Sequence, residues 1–164
     1  MILVNIKRMP RERKYQYKKY LEGVKLTVYN DEINIKTNGE VDIIDITSEI
    51  KKIVQKSKIK DGIICLFNPG STGSLTTIEY EPGLKKDFPR ALEKIAPKNE
   101  YYNHHETWHD DNGHSHVRAS LIGPSITVPL IDGKLIHGTW QQIVFVELDT
   151  SKRNRNLIVQ IVGE

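Results

Sequence analysis

The chain has 164 residues, 38% hydrophobic and 27% charged, with a net charge of +3. One domain with a sizeable core is the expectation at this length. Cys65 is the only cysteine, which leaves no internal disulfide, and no apolar run approaches the ~18 residues of a membrane helix, so the composition reads as a cytoplasmic globular protein with no membrane partner.

The charge is unevenly placed. Residues 1–30 carry eight Lys/Arg against Glu12 and Glu22, whereas the remaining 134 hold 16 basic and 19 acidic residues. The start, MILVNIKRMPRERK, places its charges after the apolar residues, the reverse of a secretory signal. Residues 1–30 read as a basic extension and 31–164 as the domain. Tyr17, Tyr20, Leu21 and Val24 form one weak helical face, and basic residues alternate with Tyr15, Tyr17 and Tyr20. That pattern can hold nucleic acid by charge and stacking, so any nucleic-acid partner is expected only through residues 1–23; a docked surface extension is the more ordinary outcome.

The segments VKLTVY and INIKT read as extended. Thr47 or Ser48 is expected to cap a helix whose inner face is Ile50, Ile53 and Val54. GIICLFN reads as a buried strand and SLTTIEY as a second, alternating one. Pro82 suits a first helical turn, and Leu84, Phe88, Leu92 and Ile95 keep helical spacing. Pro89 lies inside that pattern and is expected to kink or restart the helix. SITVPLIDGKLIHGTW reads as a hairpin turning at Asp132-Gly133, followed by the strands QQIVFVELD and LIVQIVGE about the polar turn SKRNR. Strands outnumber helices. The fold class is α+β, an antiparallel two-sheet, β-sandwich-like core with flanking helices. Four strands, IICLFN, ITVPLI, IVFVEL and LIVQIV, are so nearly apolar throughout that cover on both faces is expected.

Five of the six histidines fall between His104 and His116, with Asp110 and Asp111 among them. Imidazole titrates near neutral pH and binds divalent metals. On a strand His114 and His116 would share a face; on a helix they would diverge by about 200°. His104, His114 and His116 supply three nitrogens, the number a catalytic zinc uses, and magnesium is the other candidate ion. Asp110 or Asp111 is an oxygen ligand, a partner of a ligand, or a base. Asp111-Asn112-Gly113 is a turn sequence that folds the two histidine groups together. The spacing of a calcium-binding EF-hand loop is absent. Upstream, Gly70 and Gly73 flank Ser71 and Thr72 after a buried strand, a turn able to aim N–H groups and hydroxyls at an anion, though it is not a Walker A loop. Arg153 and Arg155 can clamp a phosphate.

DGIICLFNPGSTGSLTTIEYEPGLKKDF, then HHETWHDDNGHSHVRASLIGPSITVPLIDGKLIHGTWQQIVFVELD, then R-N-R and a terminal GE, together resemble the YjbQ-like family from about Ile33 to Glu164. The resemblance implies the two-sheet fold, a homotrimer, and the secondary thiamine-phosphate synthase activity of some members. That reaction joins a pyrimidine pyrophosphate to a thiazole phosphate. It implies polar positions at His104 (or His105), Asp111, His116, Thr72, Thr76 and Glu79. On this reading Asp111, His116 and Glu79 are catalytic, and Ser71, Thr72, Thr76, Arg153 and Arg155 bind a phosphorylated small molecule. Many members have Pro-His-Thr-Thr where this chain has Pro69-Gly70-Ser71-Thr72. His114 is the candidate to replace the missing nitrogen. The competing readings are a metal-dependent hydrolase using the same residues, and a non-enzymatic trimeric module binding a metabolite or nucleic acid.

Overall fold

The computed structural model describes residues 26–164, so the expectations for residues 1–25 lie outside the described part. Eight strands and four helices follow in chain order: β1 (Thr27–Lys36), β2 (Asp42–Asp45), α1 (Thr47–Ser57), β3 (Gly62–Phe67), β4 (Gly73–Ile78), α2 (Leu84–Ile95), α3 (Asn103–Trp108), α4 (Gly113–Ile122), β5 (Ser125–Ile131), β6 (Lys134–Leu135), β7 (Gln142–Glu147) and β8 (Asn154–Gly163). They make two antiparallel sheets, ordered β1-β8-β3-β5-β6 and β2-β7-β4. The α+β two-sheet architecture expected from the sequence is the one observed.

Alternation along the strands builds the layers. Ile64, Leu66, Leu157, Val159 and Ile161 of the large sheet meet Leu75, Ile143 and Phe145 of the small one, and α1 closes this core with Ile50, Ile53 and Val54. The opposite face of β7 presents Val144 and Val146, which pack with Leu92 of α2 and Ala119 of α4. β7 is therefore covered on both sides, which explains its unbroken apolar sequence. β3, β5 and β8 behave differently. Their burial alternates, and Ile63, Phe67, Ile131 and Ile158 remain exposed on the outer face of the large sheet, so among the described residues the expected double cover is missing.

Four local expectations change. VKLTVY and INIKT belong to one continuous strand, in its described part, because β1 pairs with β8 along its whole length. Thr47 is the first residue of α1 and makes no cap; its hydroxyl accepts the Ile143 N–H at 2.9 Å and so ties the helix to β7. Pro89 lies within α2, which runs as one helix from Leu84 to Ile95, after Pro82. The short strand β2 has no expectation to match it, since DIID carries a charge at each end. The Asp132-Gly133 turn is present, with φ values of 50° and 71°.

Candidate functional site

The histidine segment folds as two helices, α3 and α4, joined by residues 109–112. His109 ends α3 with a left-handed φ of 56°, which reverses the chain. Gly113 starts α4 where only a glycine fits: a Cβ there would lie 2.5 Å from the Tyr102 Cβ. Its N–H donates to His105 Nε2 at 3.2 Å, so His105 serves the turn. The helix decides the fate of the His-Ser-His motif. His116 points outward, while His114, two residues earlier, is fully buried.

His104 and His116 come together, with ring centroids 4.3 Å apart and planes at 44°. His104 Nε2 lies 3.4 Å from Asp110 Oδ1, an oxygen that is buried and makes no hydrogen bond among the described residues. Asn112 Oδ1, on the turn between the two helices, is also buried without a partner among the described residues. The two histidines help line an open cleft of about 480 Å³ with Tyr102, Asn103, Val117, Ser120 and Leu121. Burial lowers the His116 pKa below the usual imidazole value, and the His104 charge lowers it further, against the opposing pull of Asp110 and Asp149. Both lowering causes favour the neutral ring, in which one nitrogen is a free base.

A second polar region lies at the end of β7 around Asp149, whose charge also acts on His116. The Thr72 hydroxyl donates to Asp149 Oδ2 at 2.9 Å and accepts from Arg155 Nη2 at 2.8 Å. Arg153 Nη2 reaches Asp149 at 3.0–3.1 Å, and its side chain is about half exposed. Burial would raise the Asp149 pKa, but bonds from the Ser151 N–H, Arg153 and Thr72 outweigh it and hold the carboxyl below its usual range. Arg155 differs from Arg153. It is largely buried, and its Nε donates to Glu147 Oε2 at 2.7 Å while Nη2 reaches Glu147 Oε1. Glu147 is fully buried and also accepts from Thr37 and from the N–H groups of Leu148 and Asp149. Arg155 is thus engaged in the fold, and Arg153 is the arginine with donors to spare.

The remaining expected site residues are scattered. Asp111 is exposed and makes no hydrogen bond or ion pair among the described residues; its neighbour Asp110 is the aspartate beside His104. Glu79 is exposed just beyond the far end of β4, seven residues and about 23 Å of extended chain from Thr72. Thr76 lies between them, on the face of Ser74, whose hydroxyl donates to Ala119 O. Ser71 is exposed. The 68–73 turn closes on itself: Asn68 accepts the Gly70 N–H and donates to the carbonyls of Gly70 and Gly73, so one N–H of the expected anion nest is already used. Arg155 Nη1 stands 2.7 Å from where a Cβ on Gly70 would be, so the guanidinium crowds the space a side chain at 70 would enter.

His114 cannot join His104 and His116. Its Nε2 lies 2.8 Å from Glu40 Oε2, and Glu40 is paired also with Lys98 and Arg118. Burial would raise the Glu40 pKa, but bonds from Lys98 and His114 outweigh it, and the carboxyl stays below its usual range. Buried Arg118 continues the network to Glu93 and donates to Ala96 O at 2.9 Å. No pattern in the sequence points to Glu40, Glu93 or Arg118, and nothing in the strand QQIVFVELD marks Glu147 and Asp149 as partners of Arg155 and Arg153. A tetrahedral zinc would hold two ligands about 3.4 Å apart, which the His104–Asp110 pair matches, yet among the described residues no three His, Cys, Asp or Glu side chains converge enough to share an ion. The expected three-histidine centre does not fit this arrangement, and no chemical step is routed through a metal below. No described helix is long and apolar enough to cross a membrane.

The comparisons agree with this fold. The family model described as UPF0047 protein YjbQ-like matches residues 31–164. A UPF0047 protein of Methanothermobacter thermautotrophicus is 39% identical over 142 residues, covering 87% of this chain and 97% of that one. The UPF0047 protein YugU of Bacillus subtilis is 32% identical over 132 residues, covering 80% and 97%. A crystal structure of a YbjQ-like protein of unknown function from Sulfolobus solfataricus superposes with a TM-score of 0.81 at 36% identity, covering 85% of this chain and all of that one. With its motifs, its two-sheet topology and these relatives in agreement, the chain belongs to the UPF0047, YjbQ-like family.

Proposed function

We propose that the protein is an enzyme acting on a phosphorylated small molecule by proton transfer at the His104–His116 pair. The carrying observation is that pair itself: two imidazoles 4.3 Å apart at an open cleft, one depressed in pKa and the other beside Asp110. As the C–O bond to the departing phosphate breaks, His104, next to a carboxylate, is placed to give that oxygen a proton, and His116 is placed to take a proton from the attacking group where that group carries one. Arg153 anchors the phosphate; Asp149 orients it and is close enough to His116 to influence its charge. The substrate class drawn from the family resemblance is the pyrimidine pyrophosphate and thiazole phosphate pair, whose condensation expels pyrophosphate. A cation such as Arg153 stabilises that departing charge. Purified protein given both precursors with magnesium is expected to form thiamine phosphate. Asp110→Asn should lower the yield, whereas exposed Asp111→Asn should leave it unchanged. Equal effects of the two substitutions would remove Asp110 from the site.

The active form we propose is a homotrimer, the number coming from the family resemblance. Its support is the outer face of the large sheet. Val28, Val162, Ile63 and Pro129 stand in one cross-strand row, and Ile158 and Phe67 are paired in another; Val28, Ile63, Phe67 and Ile158 are 37–55% exposed. Burying such rows against neighbouring copies removes apolar surface from water. Light scattering at micromolar concentration should give three times the chain mass of 18.9 kDa. A monomer mass would sink the proposal.

A further inference from the structure

A second pocket, sharing no residue with the histidine cleft, lies between α1 and the β5–β6 hairpin. It measures about 310 Å³ and is lined by Lys51, Val54, Gln55, Gly133, Lys134, Leu135 and His137. Its composition divides by chemistry. Val54 is a core residue and Leu135 packs against the core, so together they make an apolar floor. Around that floor stand two ammonium groups, an imidazole and an amide. Among the described residues neither Lys51 nor Lys134 has a carboxylate within ion-pair distance, and neither makes a side-chain hydrogen bond, whereas Lys56 on the same helix is paired with Asp31. No carboxylate lines the pocket.

The walls are fixed to one another. The hairpin turn donates from the Gly133 N–H to Lys60 O at 2.8 Å and from the Asp132 N–H to Asp61 Oδ1 at 3.2 Å, both on the segment leaving α1. Farther along, the Ile136 N–H donates to Pro129 O at 3.0 Å. His137 Nδ1 lies 3.0 Å from Gly138 O. A carbonyl only accepts, so this nitrogen carries the hydrogen, and Nε2 is the nitrogen left for another partner.

From this juxtaposition we infer that the pocket between α1 and the β5–β6 hairpin is a binding site for a small molecule that joins one compact anionic group to an apolar body. The anion sits between Lys51 and Lys134, with His137 and Gln55 as hydrogen-bonding partners, and the body rests on Val54 and Leu135. Two cations lining one pocket that no carboxylate lines repel one another, and a phosphate or carboxylate between them relieves that repulsion while gaining charge-assisted hydrogen bonds. Small-ligand sites have this make-up, an apolar surface with a few convergent polar groups. The inference does not depend on the activity proposed for His104 and His116.

The full chain, labelled at histidine, is titrated with phenyl phosphate, benzoate and inorganic phosphate while the imidazole C–H resonances are followed by NMR. His137→Gln and His116→Gln identify the two signals that matter. With phenyl phosphate or benzoate the His137 signal is expected to move saturably, and the tighter of the two names the anion as phosphate or carboxylate. Inorganic phosphate should bind at least several-fold more weakly. The double variant Lys51→Glu/Lys134→Glu, altered only at exposed positions, should weaken the tighter ligand by tenfold or more. The inference is overturned by an unmoved His137 signal with both organic probes, by unchanged affinity in the double variant, or by inorganic phosphate matching them. Movement of the His116 signal without that of His137 would place anion binding in the other cleft and would also overturn it.

Discussion

Arg155→Met is expected to lower the free energy of unfolding by about 3–5 kcal/mol, the cost of leaving a buried charge without its partner. Glu147 is completely buried, and Arg155 is the cation bound to it. Thr37 and two backbone N–H groups remain as donors after the substitution, which places the effect toward the lower part of that range. Thr72 also loses a donor, so the turn before β4 and the start of β8 loosen together. Thermal unfolding should shift down by roughly 10 °C for a chain of this size. The double variant Arg155→Met/Glu147→Leu should recover part of the loss, because an apolar pair needs no compensating charge. A midpoint unchanged in Arg155→Met would mean that Glu147 reaches water. Arg153→Met is the control, since its guanidinium is about half exposed and its loss should cost little.

The same pair shows where the sequence was informative and where it was not. Strand positions were legible because apolar runs and turn residues are local; β7, β8 and the Asp132-Gly133 hairpin needed nothing else. Which faces would be covered was less legible. β3 and β7 look alike as strings, yet β7 lies between a sheet and two helices, while β3 leaves Ile63 and Phe67 in the open. The histidine segment supplied the right residues without their directions. A helical α4 sends His114 inward and His116 outward, and the reversal at His109 sets Asp110, not Asp111, beside His104. Choosing between adjacent aspartates requires the backbone. Arg155 read as a phosphate clamp because its acid, eight residues earlier, resembled an ordinary strand residue. Glu40 and Arg118 are 78 residues apart, and no pattern within either neighbourhood announces the other.

His116→Ala is expected to reduce turnover by about 10²–10⁴, the usual contribution of a positioned acid or base, with folding retained because the side chain is only partly buried. The pH dependence carries the sharper information. With its folded pKa below the ordinary imidazole value of about 6.5, His116 should set an acidic limb of kcat/KM lying under that value. Burial is the largest cause and His104 the next, so His104→Gln should move the limb upward. Asp110→Asn removes a negative charge and should move the limb further down. Stability follows the same sign. The unfolded chain binds this proton more readily than the folded one, so the contribution of neutral His116 is complete above about pH 6.5 and declines as pH falls through the window toward the depressed folded value. An NMR titration of the His116 ring reads the shift directly, with no substrate needed. A limb that moves down in His104→Gln, or an imidazole that titrates above the ordinary value, would mean that His104 acts on His116 as a hydrogen-bond partner and not as a like charge. The acid and base roles assigned to the pair would then have to be exchanged.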